Sequence, residues 1–333
     1  MRRLLVVVLV AALAWGGYWF VGARAVEYSL AAWIDQRRAE GWAADYAALN
    51  TRGFPNRFDT TITDLQLADP QTGVAWIAPF FQILTLSYRP NHLIAVWPGE
   101  QTVATPLQSI LLTSDTMRAS VVLRPGPSLE LDRSTFELAN VRLNSDTGWS
   151  TSIKTGSLGT RQTVGKTDTH DIGFDATDVR PSRDLLKLLN PAGTLPDAFE
   201  RLHIETTVAF DAPWNRYAIE DRRPQITKFD LGKLDAKWGQ MDLQAAGELD
   251  VDDGGIPTGR ITVRATNWRE MLQLAVATGA VSEALAPTLE RALELLAQMS
   301  GNPETLDAPL SFQNGLMSFG PIPFGPAPRL RIR

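Results

Sequence analysis

Hydrophobicity along the chain starts as one block and then changes period. Leu4 to Val21, LLVVVLVAALAWGGYWFV, runs without a charge, and as a helix it reaches about 27 Å, close to the hydrocarbon thickness of a bilayer. Ala25 to Ala39 keeps a helical composition around Tyr28, Trp33 and Ile34, and Gly41 is a stop signal. From Trp42 the period falls to two: Trp42, Ala44, Tyr46 and Ala48 alternate with more polar neighbours, as in a strand.

Short strands then follow closely. After a turn at Arg52 to Asn56, Phe58–Leu67 reads as a Thr-rich strand. Next come Val74–Ile77, Phe81–Tyr88, Leu93–Trp97, Gln101–Ala104, Ile110–Thr113, Met117–Leu123 and Leu129–Leu138. Pro79, Pro90, Pro98, Pro106, Pro125 and Pro127 are expected between these strands or near their ends, because proline removes a ladder donor. Trp149–Ser157 and Gly173–Val179 continue the pattern.

The second half mixes periods. Ser182 opens a short helix, Arg183–Leu189, closed by Asn190 and Pro191. Strands are predicted at Leu202–Phe210, Gln225–Trp238, Met241–Leu249 and Arg260–Thr266. Met241, Leu243, Ala245, Gly247 and Leu249 share one face, as do Ile261, Val263 and Ala265, and the Asp252–Gly255 turn makes the pair a hairpin with one apolar side. Asn267 with Glu270 three residues on reads as a capping box, and Gly279 ends that helix. Pro287 starts a second helix with Leu289, Leu293 and Leu296 on one face, closed by Gly301, and Asn314-Gly315 turns a last hairpin.

The pattern is α+β: a transmembrane helix, then a large, mostly antiparallel, curved β-sheet domain with a few covering helices. The expected divisions are an anchor over residues 1–24, a juxtamembrane helix over 25–40 and a β-rich domain over 41–333, with two lobes parting near 180–200.

Charge gives the block a direction. Arg2, Arg3 and the terminal amine precede it, while Arg24 and Glu27 roughly cancel after it, so the positive-inside bias sends the rest of the chain across the membrane. Trp15, Tyr18, Trp19 and Phe20 crowd its far end, where amphipathic rings favour the headgroup layer. Ala23-Arg24-Ala25 has the form of a cleavage site, so a signal peptide is the competing reading. The long apolar region and the bulky aromatics before the cut favour an uncleaved anchor. Either way the β domain is exported.

Composition removes whole classes of chemistry. There is no cysteine among the 333 residues, which excludes disulfides, thiolate metal sites and cysteine nucleophiles. Of the 32 Lys and Arg, three flank the apolar block, leaving 29 against 37 Asp and Glu in the remainder. Such a body lacks the footprint of a nucleic-acid binder.

The remaining motifs are weak. Gly165-Lys166-Thr167 ends like a phosphate loop, but Thr160 stands where its first glycine belongs, so a polar turn is expected. Gly156-Ser157-Leu158-Gly159 lacks the glycine spacing of a nucleophile elbow. His92, His170 and His203 form no close pair; Asp168 and His170 are expected in a solvated turn, and His203 is expected to be structural. Asp250 to Gly254 has the acidity of a calcium loop without the distal glutamate, and reads as a hairpin turn. Arg329, Arg331 and Arg333 alternate with Leu330 and Ile332, giving a basic edge if the tail is a strand. No catalytic, cofactor or metal residue is assigned.

Several stretches together resemble a known bacterial family, domain of unknown function 2125. They are Gly53-Phe54-Pro55-Asn56-Arg57-Phe58, Trp76-Ile77-Ala78-Pro79-Phe80, Tyr88-Arg89-Pro90-Asn91-His92, Trp97-Pro98 and the tail from Phe319 to Pro328. The resemblance covers nearly the whole chain after the anchor and implies a Gram-negative envelope protein, without assigning roles to Gly53, Phe54, Pro55, Arg57, Trp76, Pro79, Pro90, His92, Trp97 or Pro98. Thr227 to Asn267 is more distantly similar to AsmA-like envelope proteins, which have one N-terminal anchor and a curved sheet associated with lipid handling.

The expectation is a non-enzymatic, single-pass protein of the bacterial inner membrane with its C-terminal domain in the periplasm. It would touch membrane lipid through the helix and bind lipid or an envelope protein through the sheet. The alternatives are a soluble secreted binding protein after cleavage, or an envelope hydrolase using acidic residues distant in sequence. Helices after Asn267 that covered every apolar strand face would make that face a plain core.

Overall fold

The computed structural model describes residues 1–190, 193, 195–279, 281–299, 302–320 and 322–332. Its first element, α1 (Arg2–Ala39), is one helix. The anchor and juxtamembrane segments expected as two pieces are continuous, because no proline interrupts the hydrogen-bond ladder between them and Arg24 and Glu27 pair one turn apart at 3.3 Å.

The chain forms two compact units, one of Met1–Leu123 with Phe136–Gly148 and one of Arg124–Thr135 with Trp149–Arg333. In the first, β1 (Ala43–Asp45) and β2 (Ala48–Arg52) both pair with β3 (Arg57–Asp69), and β3 pairs with β4 (Val74–Leu86). β4 then forks. Its end meets β5 (Arg89–Val96) and its start meets β6 (Glu100–Thr105). β6 continues to β7 (Gln108–Thr113), β5 pairs with β8 (Thr116–Leu123), and β7 pairs with the later part of β9 (Leu131–Ser145). Every one of these pairings is antiparallel.

The fork explains a departure from the sequence pattern. Pro79 was expected to separate two strands, yet β4 runs through it. It sits between the residues that pair with β6, ending at Ile77, and those that pair with β5, starting at Gln82, while the β3 register skips it opposite Asp64. Its missing N–H therefore costs no ladder bond. Pro90 likewise lies inside β5, where the register with β4 is irregular.

The second unit is a meander. β10 (Ser150–Gln162), β11 (Thr169–Arg180), β12 (Phe199–Phe210), β13 (Ile226–Trp238), β14 (Met241–Val251), β15 (Pro257–Thr266), β16 (Thr305–Gln313), β17 (Leu316–Phe319) and β18 (Ile322–Pro326) each pair antiparallel with the next. β11 and β12 are in register from Thr169↔Ala209 to Val179↔Phe199, so the units part near residues 123–149 and not at 180–200.

Helix α2 (Arg183–Leu189) sits between those strands, with the Ser182 hydroxyl accepting from the Leu185 N–H; Pro191 lies outside the described residues. A five-residue helix, α3 (Arg216–Glu220), precedes β13 and carries no periodic signal of its own. Helices α4 (Trp268–Ala277) and α5 (Ala286–Met299) separate β15 from β16; Gly301 lies outside the described residues.

Asn267 does not make a capping box. It is left-handed at φ 56°, makes no side-chain cap, and its amide donates across to the Gln240 carbonyl at 2.7 Å. The left-handed turn points the side chain away from the helix start, and asparagine tolerates that conformation better than most residues. Trp268 then leads a core of Ala265, Leu272, Val281, Leu289, Leu293, Ala297 and Leu306, with Leu243 and Phe319 packed against it.

Candidate functional site

The expected site residues gather first where α1 meets the β2–β3 turn. Arg2 and Arg3 lie exposed in the first turn of the helix, far from this junction. Trp15 Nε1 donates to the Pro55 carbonyl at 3.1 Å, Tyr18 Oη to the Ser87 carbonyl at 2.6 Å, and Trp19 Nε1 to the Arg57 carbonyl at 2.7 Å. Ser87, at the β4–β5 tip, also donates its N–H to the Asn56 carbonyl at 2.9 Å. Helix and both hairpin tips are thus one hydrogen-bonded unit.

Ring packing follows the same lines. Trp19 meets Phe54 edge-on at 5.5 Å and Phe58 at 5.9 Å, and Phe20 stacks on Phe54 at 5.8 Å. Trp19, Ala23 and Phe58 form a buried cluster, so Trp19 faces protein while Tyr18 and Phe20 stay exposed. Gly22 makes the approach feasible, since a Cβ there would lie 2.7 Å from Phe58 Cζ. Gly53 turns the chain at φ +105°, where a side chain would meet the Arg57 backbone.

Of the other family-motif residues Pro79 and Pro90 are exposed, while Trp76, His92, Trp97 and Pro98 pack within the same unit. Trp76, Phe81, Trp97 and Phe136 follow one another at 5.3 to 5.8 Å, and Trp76 Nε1 donates to Gln101 Oε1. Pro98 is fully buried beside them in sequence, and His92 Nε2 lies 2.9 Å from Ser120 Oγ.

A second feature belongs to the meander alone. Leu158↔Phe174↔Ile204↔Leu234↔Ala245↔Val263 is one cross-strand row, each pair directly opposed. On one side of it lies the band roofed by α4 and α5, with Leu243, Ala265 and Leu306. On the other lies a buried band with Val208, Leu249 and Phe312. Between them the row is only partly buried, and Leu158 is 46% exposed. The helices after Asn267 therefore cover one end of the apolar face and not its middle.

The polar side of the same strands carries a hollow of about 530 Å³ where Gly159, Gly173 and Gly232 omit side chains. Arg133, Arg161, Asp171, Glu205 and Asp230 line it with charges of both signs, and Asp171 already accepts from Thr163 and Thr207.

His170 is the clearest correction. Expected in a solvated turn, it is 1% exposed, edge-on to Phe210 at 6.1 Å. Its Nδ1 lies 3.4 Å from Thr160 Oγ1, and Nε2 has no partner among the described residues. Burial pushes its pKa below the ordinary 6.5; Asp171 opposes this and Arg124 adds to it. Alternation hides the reason: His170 falls on the apolar face, opposite Val208.

Sequence reasoning missed the surroundings of His203, whose Nδ1 lies 2.7 Å from Asp175 Oδ1 and Nε2 3.2 Å from Glu205 Oε1. The i,i+2 spacing to Glu205 was legible, but Asp175 needs the register. Gly165 to Thr167 is a turn between β10 and β11, and Asp252 Oδ1 is taken up by the N–H groups of Gly254 and Ile256. The tail at Arg329 and Arg331 joins no ladder; Gln225 clamps both backbone groups of Ile332, and Arg333 lies outside the described residues. Among the described residues no three His, Asp or Glu side chains group as a metal cage.

These features define a β-rich protein that has, among the described residues, one helix long and apolar enough to cross a membrane, locked to its first β unit. A family model matches residues 19–328, and the chain belongs to that family, described as "Uncharacterized protein conserved in bacteria (DUF2125)". No curated protein and no solved structure matches.

Proposed function

We propose that the chain is a non-enzymatic, single-pass protein of the bacterial inner membrane, with its β units on the periplasmic side, and that the meander binds lipid acyl chains along its uncovered apolar row. The row from Leu158 to Val263 carries this reading: a strip of partly buried aliphatic and aromatic side chains between two buried bands, open at Leu158, suits an apolar chain more than a polar solute. The apolar helix and its leading Arg2 and Arg3 support the topology. Retention of the helix is supported by Trp19 and Ala23, which cleavage after Ala25 would strip from a core shared with Phe58.

Native mass spectrometry of the full-length protein, extracted in mild detergents, tests this. Adducts with phospholipid masses are expected. Bare protein in every detergent would overturn the lipid reading.

A further inference from the structure

The junction of α1 with the hairpin tips sets how deep the first β unit sits. Leu4–Val10 and Leu13 are exposed, and the docked stretch begins at Trp15. From Leu4 to Trp15 the helix rises only about 17 Å, against about 30 Å of hydrocarbon. A helix that crosses the membrane must therefore take Trp15 to Val21 into the bilayer, and the groups bonded to those residues go with it.

Those groups are built for that environment. In hydrocarbon a backbone polar group needs an internal partner. The carbonyls of Pro55, Ser87 and Arg57 accept from Trp15, Tyr18 and Trp19, and the Ser87 N–H is held by Asn56. The large rings left outside are amphipathic or apolar: Phe20 is 62% exposed, Phe54 56% and Tyr88 57%, with the small amide of Asn56 exposed beside them. Arg52 and Arg57 flank the first tip and Arg89 closes the second, all exposed, with Arg57 also paired to Asp59 at 3.0 Å, and these cations match an anionic headgroup layer.

We propose that the tips Gly53–Asn56 and Ser87–Arg89 are embedded in the outer leaflet of the bilayer beside α1, with Phe54 and Tyr88 in contact with lipid. The β unit is then set into the membrane surface and does not hang above it on a tether. This rests on the membrane-spanning reading of α1 but not on lipid binding by the meander.

The absence of cysteine makes the test direct. Phe54→Cys, Tyr88→Cys and Arg89→Cys, each labelled with an environment-sensitive fluorophore, are reconstituted as full chains in phosphatidylethanolamine–phosphatidylglycerol vesicles with or without doxyl-labelled lipid. Leu9→Cys reports the helix. Leu107→Cys reports the far end of the unit, because it lies in the turn beside the start of β4, about 40 Å of strand from the tips.

Doxyl quenching at the three tip positions should approach that at Leu9→Cys and exceed that at Leu107→Cys several-fold. Quenching at Leu9→Cys with none at the tips overturns the embedding while leaving the helix in the membrane. No quenching at Leu9→Cys overturns both. The exposed Arg89→Cys site keeps the test valid if replacing Phe54 disturbs the junction.

Discussion

The indole N–H of Trp19 donates to the backbone carbonyl of Arg57 at 2.7 Å, across 38 residues of sequence. This bond sits inside the cluster with Ala23 and Phe58, where the ring is 6% exposed. The helix is thus part of the first unit's core as well as a long apolar segment that precedes it.

Trp19→Ala should therefore cost about 3–5 kcal/mol, as a large core truncation. Trp19→Phe keeps most of the packing and should cost only about 1–3 kcal/mol, mainly for the unsatisfied carbonyl. Thermal unfolding of the detergent-solubilised full chain distinguishes the two. Equal, negligible losses would mean that the junction does not contribute to the fold.

Gly22→Leu should overpack against Phe58 at a cost of about 1–3 kcal/mol. Gly17→Leu, five residues back where a Cβ meets nothing within 4 Å, should be close to neutral in the same assay.

His170 makes stability sensitive to acid. Its pKa is lowered in the fold below the 6.5 of the unfolded chain, so below that pH the unfolded state binds the extra proton first. Stability contributed by neutral His170 is complete above 6.5 and lost as pH falls through 6.5 toward the folded value. Urea melts of His170→Leu should be flatter as pH falls below 6.5 than those of the native chain. A matching pH slope in both proteins would remove His170 as the cause.

Leu158→Glu tests the apolar row. Leu158 is 46% exposed, so the change should shift stability by no more than about 1 kcal/mol while removing co-purified lipid. Leu293→Glu, on the buried face of α5, should instead unfold the second unit. Native spectra showing undiminished lipid on a folded Leu158→Glu protein would place any lipid elsewhere.

At Asn267 two readings of the helix start diverge. A capping box predicts that Asn267→Ser is neutral, because serine caps as well as asparagine. The left-handed backbone and the bond to Gln240 predict a loss of about 1–2 kcal/mol, readable by thermal unfolding.

Much of the fold was legible because alternation is a local property. The one-sided faces of β14 and β15, the hairpins at Asp252–Gly255 and Asn314–Gly315, and the leucines of α5 all follow from period and turn chemistry. Pro79 and His170 were misread for the same reason. A ladder that changes partner halfway, or a histidine on the apolar side of a strand, leaves the local pattern unaltered.

The sequence by itself determined an apolar N-terminal block with a positive lead, a chain without thiol chemistry, and strands in antiparallel succession. Only the tertiary structure decided what the aromatic residues from Trp15 to Phe20 do. Their donors reach carbonyls 38 to 69 residues away, and hydropathy records how apolar a ring is, not which distant carbonyl its one polar atom satisfies. The same holds for the open row from Leu158 to Val263. Periodicity says which face of a strand is apolar, and only packing says whether anything covers it.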